Sequence, residues 1–173
     1  MNSNGVVHIS EAATLGLHAM IVLACDPERR LTVKDLALAL GASANHLAKV
    51  MGSLTRARLV GSVRGPAGGF TLARGAADIC LLEVYEAIDG ALRPHNCLLG
   101  ERRCTGTCML GDLVKDTNAA FVRRLATTRL DSLARTWRTK RAAAGRKRDV
   151  GAGRGESAKR GRSVSVAARV TRR

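Results

Sequence analysis

The stretch from Leu31 to Arg74 limits the possible folds more than any other part of the chain. It opens with Thr32, whose side-chain oxygen, together with the carboxylate of Asp35, could bind the first free N–H groups of a helix. Gly41 follows as the residue that most readily takes the left-handed backbone with which many helices end. The pattern therefore predicts a short helix between Thr32 and Gly41.

A second helix is predicted to begin after Ser43, a residue type that caps helices well. Its apolar residues recur at the spacing of one buried face: Leu47, Val50, Met51 and Leu54. Its other face carries polar and basic residues: Asn45, His46, Lys49 and Arg56. Small residues between them would let these donors approach base edges and phosphates. Two helices of this kind, joined by a glycine-containing turn, predict a helix-turn-helix.

A β-hairpin pattern follows, with β-branched and apolar runs at 59–63 and 70–73 around a Gly/Pro loop at 64–69. A phosphate-binding loop would instead open a helix. A helix-turn-helix alone can also serve protein contacts, and the added wing favours DNA. We expect Arg64 and Arg74 near phosphates, with Arg64 able to probe a minor groove. The predicted DNA-binding residues are Ser43, Asn45, His46, Lys49, Arg56, Arg64 and Gly65.

The segments 43–50, 59–60 and 63–74 resemble the BadM/Rrf family of bacterial winged-helix transcriptional regulators, which includes the iron–sulfur regulators IscR and NsrR. The resemblance runs from about Ile9 to about Trp137 and implies a mainly α fold: a winged helix-turn-helix with a two-stranded β wing and a long C-terminal dimerisation helix. One departure is Arg58, where the family usually has Gly. A left-handed backbone there would cost a non-glycine residue roughly 1 kcal/mol.

A second informative region is the loop from Arg93 to Met109, which contains Cys97, Cys104 and Cys108. Thiolates are ligands for iron–sulfur clusters and for zinc, and nearby Arg102 and Arg103 would lower the pKa of the thiols. Free thiols that bind nothing are the alternative.

The resemblance assigns these three cysteines to an iron–sulfur cluster, with [2Fe–2S] favoured and [4Fe–4S] also considered. The spacing between the last two is shorter than in the best-known members. Thr14 and Gly111 stand where the fourth ligand of NsrR-like and IscR-like proteins would be, so no fourth ligand is carried over.

The remaining body of the chain reads as helical. Residues 11–24 predict a buried helix, and Asp78 could cap a helix that ends near Gly90. A long helix from Met109 to about Trp137 has an apolar stripe that its own domain could hardly cover, so a partner chain is expected to cover it in a homodimer. Folding back onto its own domain is the alternative.

The net charge of +15 is concentrated at one end of the chain. Residues 1–137 contain 16 Lys and Arg against 12 acids, whereas residues 138–173 contain 13 against 2. We expect a basic disordered tail, which either adds sequence-independent DNA affinity or has little role. The predicted divisions are a DNA-binding domain at 1–90, a cysteine-rich sensor loop at 91–108, a dimerisation helix at 109–137 and the tail at 138–173.

Several classes of protein are disfavoured. The start of the chain lacks a secretory pattern, and the longest apolar run is too short to span a bilayer. Five cysteines, three of them clustered, suit a reducing cytoplasm. The sequence shows no nucleophile paired with a base, no pair of carboxylates in a plausible cleft and no nucleotide-binding fingerprint. It therefore predicts neither an enzyme nor a small-molecule substrate.

The sequence therefore predicts a cytoplasmic homodimeric repressor that binds a double-stranded DNA operator. Its iron–sulfur cluster would sense nitric oxide, redox state or cluster supply. The alternatives are the same regulator using zinc or thiol oxidation, and a tail-driven, non-specific nucleic-acid-binding protein.

Overall fold

The computed structural model describes residues 9–65, 67–92 and 113–152. The described part is mainly helical with one two-stranded antiparallel sheet, which confirms the predicted fold class. In chain order the elements are α1 (Glu11–Cys25), α2 (Val33–Leu40), α3 (Ala44–Arg56), β1 (Val60–Val63), β2 (Gly69–Leu72), α4 (Leu81–Asp89), α5 (Leu113–Thr127) and α6 (Leu130–Ala152), with a 3-10 turn at Ala76–Asp78.

The starts of α2 and α3 are fixed by their own side chains. The carboxylate of Asp35 accepts the backbone N–H of Thr32 at 2.9 Å, and the Thr32 hydroxyl accepts the N–H of Asp35 at 3.2 Å. Gly41 ends α2 with φ +63°, and the hydroxyl of Ser43 accepts the N–H of His46 at 3.5 Å. These local interactions confirm the predicted helix boundaries.

The core lies where α1 meets α3 and α4. The predicted apolar stripe of α3 is buried throughout, and so are residues 19–24 of α1. Gly16 allows the three helices to approach closely, because a Cβ there would collide with Ile88 of α4 and lie 3.2 Å from Val50 Cγ1 of α3. The second helix of the helix-turn-helix therefore packs closely against α1 and α4.

The wing is joined to the helix-turn-helix through the backbone. β1 pairs with β2 in the register Val60↔Leu72 to Val63↔Gly69. Leu31, just before α2, exchanges two backbone hydrogen bonds with Phe70 of β2, at 2.9 and 3.1 Å. This pairing fixes the wing beside α2.

Arg58 has φ +57°, and among the described residues it is the one non-glycine residue with a positive φ. It follows α3, and the next residue, Leu59, donates its N–H to the carbonyl of Leu54 at 3.0 Å. The backbone at this position is therefore the left-handed one that Gly adopts without strain.

Asp78 does not cap α4, contrary to the sequence interpretation. It lies in the 3-10 turn, and Ile79 and Cys80 are extended before α4 begins. The cap residue is Cys80, whose N–H is accepted by the carboxylate of Glu83 at 2.9 Å.

The predicted single helix from Met109 to Trp137 is also wrong, because it is interrupted at Thr128 and Arg129. The carbonyl of Thr128 accepts the N–H of Leu81 at 3.1 Å, and Leu130 donates to the carbonyl of Ile79 at 3.0 Å. This pairing with Ile79 and Leu81, where the chain enters α4, replaces helical hydrogen bonds and separates α5 from α6.

The apolar stripe is partly covered within its own chain. Leu125 of α5 is buried beside Ala13 and Tyr85, and Leu130 of α6 is fully buried. Leu113, at the start of α5, remains 64% exposed. Homodimerisation remains a prediction.

The chain forms two compact units, residues 1–137 and residues 138–173. Of the second unit, the structure describes the continuation of α6 to Ala152. The predicted disorder therefore does not apply to residues 138–152, which are rich in Ala, Lys and Arg, all good helix formers. Residues 153–173 lie outside the described residues.

Candidate DNA interface

The exposed face of α3 is the most distinctive surface of the helix-turn-helix. Asn45, Lys49 and Arg56 are exposed and recur with Gly52 at the spacing of one helix face, opposite the buried stripe. Ser43 is exposed at the N-terminal end of the same helix. The helix thus presents an amide, an ammonium and a guanidinium to the solvent.

Two of the predicted contact residues already have partners within the chain. His46 is half-buried, with Nδ1 3.6 Å from Glu11 Oε1 of α1. The Arg56 guanidinium donates to the Ser53 hydroxyl at 2.9 Å, near the negative end of the helix dipole. Their side chains are therefore oriented before any ligand binds.

The wing tip carries Arg64 and Gly65, both exposed, and Gly65 has φ +108°. Gly68 is a second position that requires glycine, because a Cβ there would lie 2.8 Å from the carbonyl oxygen of Gly65. Gly68 was not among the predicted site residues, although its place in the Gly/Pro loop was a usable signal. Pro66 lies outside the described residues.

Arg74 was expected near phosphates, but its guanidinium donates to Glu83 Oε1 at 2.6 Å. Partial burial of Glu83 would raise the pKa of that carboxyl, but the hydrogen bonds from Arg74 and from the Cys80 N–H outweigh this effect and lower it. The carboxylate of Glu83 therefore stays ionised and connects the end of the wing to the start of α4.

Cys97, Cys104 and Cys108 lie outside the described residues, so the structure does not place the predicted cluster ligands relative to one another. Within the ranges described, no group of three or more His, Cys, Asp or Glu side chains could hold a metal ion. Of the other cysteines, Cys80 is buried at the start of α4 and Cys25 is half-buried, 3.7 Å from the carbonyl of Ala134.

The beginning of the cysteine loop is connected to the helices that support α3. Ser10, the cap of α1, donates its hydroxyl to Asp89 at the end of α4, at 2.7 Å. The Glu86 carboxylate accepts the N–H of Leu92 at 3.1 Å. Leu92, the last residue described before the cysteines, is thus bonded to α4, and α4 is bonded to the cap of α1.

The helices were also compared with the length of a membrane span. None of the described helices is both long and apolar enough to cross a membrane.

Residues 9–136 match the model of the Rrf2 family, described as an iron-dependent transcriptional regulator. The chain belongs to the Rrf2 family. Similarity to the putative HTH-type transcriptional regulator BadM of Rhodopseudomonas palustris amounts to 40% identity over 78 residues, or 45% of this chain and 50% of that protein. The aligned part thus spans half the length of this relative.

Solved structures extend the likeness in fold. CymR of B. subtilis, described as the global cysteine regulator, gives a TM-score of 0.66 at 26% identity and covers 76% of this chain and 98% of that one. IscR of T. potens gives a TM-score of 0.60 at 24% identity over 76% and 89% of the two chains, which concerns the fold alone. The family resemblance is confirmed, and the family and these relatives are transcriptional regulators rather than enzymes.

Proposed function

We propose that this Rrf2-family regulator is a homodimeric repressor that binds a double-stranded DNA operator under the control of a cysteine-bound iron–sulfur cluster. The observation that carries the DNA half of the proposal is the exposed face of α3 beside the wing. Within the described residues, the side chains of Asn45, Lys49 and Arg64 have no hydrogen-bond or ion-pair partner that DNA would have to displace.

The side chains suit different parts of a duplex. The amide of Asn45 can pair with the edge of an adenine in the major groove, and the ammonium of Lys49 can neutralise a phosphate. Ser43 lies at the N-terminal end of α3, where backbone N–H groups favour phosphate oxygens. His46 and Arg56 flank this surface, while Arg64 and Gly65 of the wing would lie against the backbone or in a minor groove.

A second copy of the chain would place two such DNA-binding faces about one DNA turn apart on a near-palindromic operator. At the start of α5, Leu113 is exposed and Val114 and Thr117 are half-buried, so these residues of the apolar stripe could contact a partner chain. These three side chains support α5 as the dimerisation helix.

The thiolates of Cys97, Cys104 and Cys108 would hold the cluster, because three clustered soft sulfur ligands fit this group by their chemistry. Bound there, the cluster would supply a centre that reacts with nitric oxide, responds to redox state or reports on cluster supply. We favour [2Fe–2S] over [4Fe–4S]. The same thiols could instead bind zinc or undergo thiol oxidation, which is the second candidate mechanism.

The described contacts support a route by which a change in the loop would reach the DNA-binding face. The loop follows α4, whose Asp89 is bonded to the cap of α1 and whose Ile88 packs at Gly16, beside Val50 of α3. Two positions of the loop would therefore correspond to two positions of α4 and α1 beneath the reading helix. Only a difference in DNA affinity between those two states would make the protein a switch.

The DNA half is tested by fluorescence anisotropy with a duplex selected from a random pool and with a scrambled duplex. Asn45→Ala should lower the preference for the selected duplex by about 1–3 kcal/mol. Lys49→Ala should weaken binding to both duplexes and reduce the salt dependence by about one phosphate contact. Lys34→Ala, which removes an exposed charge from α2, is the matched control. If Asn45→Ala and Lys49→Ala both bind like the wild type and like this control, α3 is not the DNA-reading helix.

A further inference from the structure

The C-terminal part of α6 extends beyond the residues that match the family model. The Rrf2 match ends at residue 136. Yet α6 continues as a helix to Ala152. The segment Arg138–Ala152, here called the basic helix, therefore lies outside the matched part of the chain.

The basic helix has no large apolar side chains that it could bury against another part of a protein. It has six Lys and Arg against one acid, and Val150 is its largest apolar residue. Without an apolar stripe, such a helix gains little by packing against protein. The side chains of Arg138, Lys140 and Arg141, which the structure describes, are exposed.

We propose that the basic helix is a second DNA-binding element, which binds duplex phosphates without reading sequence. Each phosphate that a Lys or Arg neutralises releases condensed counterions, so the helix would add affinity for any duplex. This inference rests on the proposed function, since it assigns a further surface to the same DNA partner.

The chemistry of the segment favours duplex DNA over two other polyanions. A helix that lies on a membrane needs an apolar face opposite its charges, which the basic helix lacks. Proteins that bind single-stranded nucleic acid stack bases on aromatic side chains, and residues 138–173 contain no Phe, Tyr, Trp or His. Phosphate contacts along a duplex require only the charges that are present.

The test measures how the dissociation constant of the full chain varies with salt, on the selected duplex and on the scrambled one. Lys140→Gln with Arg141→Gln should reduce the slope of log affinity against log salt by about 2 on both duplexes. Arg146→Gln, Lys147→Gln and Arg148→Gln together should reduce it by about 3. In both variants the ratio of the two affinities should stay the same.

The matched control is Arg123→Gln with Arg124→Gln, which removes two exposed charges from α5. An unchanged slope in the Lys140/Arg141 variant would overturn the proposal. So would an equal reduction in the control, since net charge alone would then explain the effect. Tighter binding of the wild type to single-stranded RNA or to anionic vesicles than to the scrambled duplex, if lost in the variants, would also overturn it.

The outcome separates this proposal from the proposed function. If the wild type shows no preference for a selected duplex, the regulator proposal fails, but the salt slope on scrambled DNA still tests the basic helix. If the preference is present and the slope does not depend on these residues, only the basic helix proposal fails.

Discussion

Arg74 and Glu83 form an ion pair, at 2.6 Å, that joins the end of the wing to the first turn of α4. The same carboxylate accepts the N–H of Cys80, so one side chain both caps α4 and anchors the wing. Because α4 also precedes the cysteine loop, this ion pair lies between the proposed sensor loop and the wing, which carries the proposed DNA contacts Arg64 and Gly65.

Glu83→Gln should lower the free energy of unfolding by about 1 kcal/mol, through a weaker cap and the loss of the ion pair. The effect should depend on pH. Since the folded protein holds the pKa of Glu83 below its ordinary value of 4.5, this residue stabilises the fold above that pH and ceases to do so as the pH falls through the lowered pKa.

Urea denaturation at a series of pH values between neutral and acidic checks this prediction. The stability of Glu83→Gln should fall less steeply with acid than that of the wild type, whereas Glu28→Gln, at an exposed turn position, should follow the wild type. Parallel curves for Glu83→Gln and the wild type would mean that the carboxylate does not stabilise the fold.

Arg58→Gly should raise the free energy of unfolding by about 1 kcal/mol, because the backbone there has φ +57° and glycine adopts it without strain. Ala57→Gly is the control, since Ala57 has φ −75° and glycine should only add flexibility there. Urea denaturation of both variants decides the matter. Equal losses of stability would show that Arg58 is not strained.

Gly16→Val should destabilise the protein by about 1–3 kcal/mol, because the added branches would force α1 away from Ile88 of α4 and Val50 of α3. Displacement of α3 should also weaken DNA binding. Gly52→Ala is the comparison: the nearest atom to a Cβ there is at 3.7 Å, so this variant should retain or gain stability. A stable Gly16→Val variant with normal DNA affinity would contradict the tight junction of the three helices.

Local chemistry explains why much of the fold could be predicted from the sequence. The capping pair of Thr32 and Asp35, the cap at Ser43 and the buried stripe of α3 depend on residues within a few positions of each other. The Gly/Pro loop between the two β-branched runs likewise predicted the wing. Belonging to a known family then added the sensor interpretation, which periodicity alone does not provide.

Long-range pairing explains what the sequence did not predict. The spacing of apolar residues across Thr128 is continuous, yet its carbonyl pairs with Leu81, far away in the chain, and the helix breaks. The ion pair of Arg74 was not predicted, because its carboxylate partner lies beyond a turn whose shape the sequence does not reveal. The high charge of residues 138–152 predicted disorder, although their helix propensity favours the observed helix.

The regulation that we propose depends on the claim that Cys97, Cys104 and Cys108 hold an iron–sulfur cluster. The most direct test is the visible absorption spectrum, with iron and acid-labile sulfide content, of the full chain purified without oxygen. The wild type should be brown with matching iron and sulfide, and Cys104→Ala should be colourless yet folded, while Cys25→Ala should keep the colour. A colourless wild type that resists reconstitution, or a Cys104→Ala variant with full iron and sulfide, would contradict the claim.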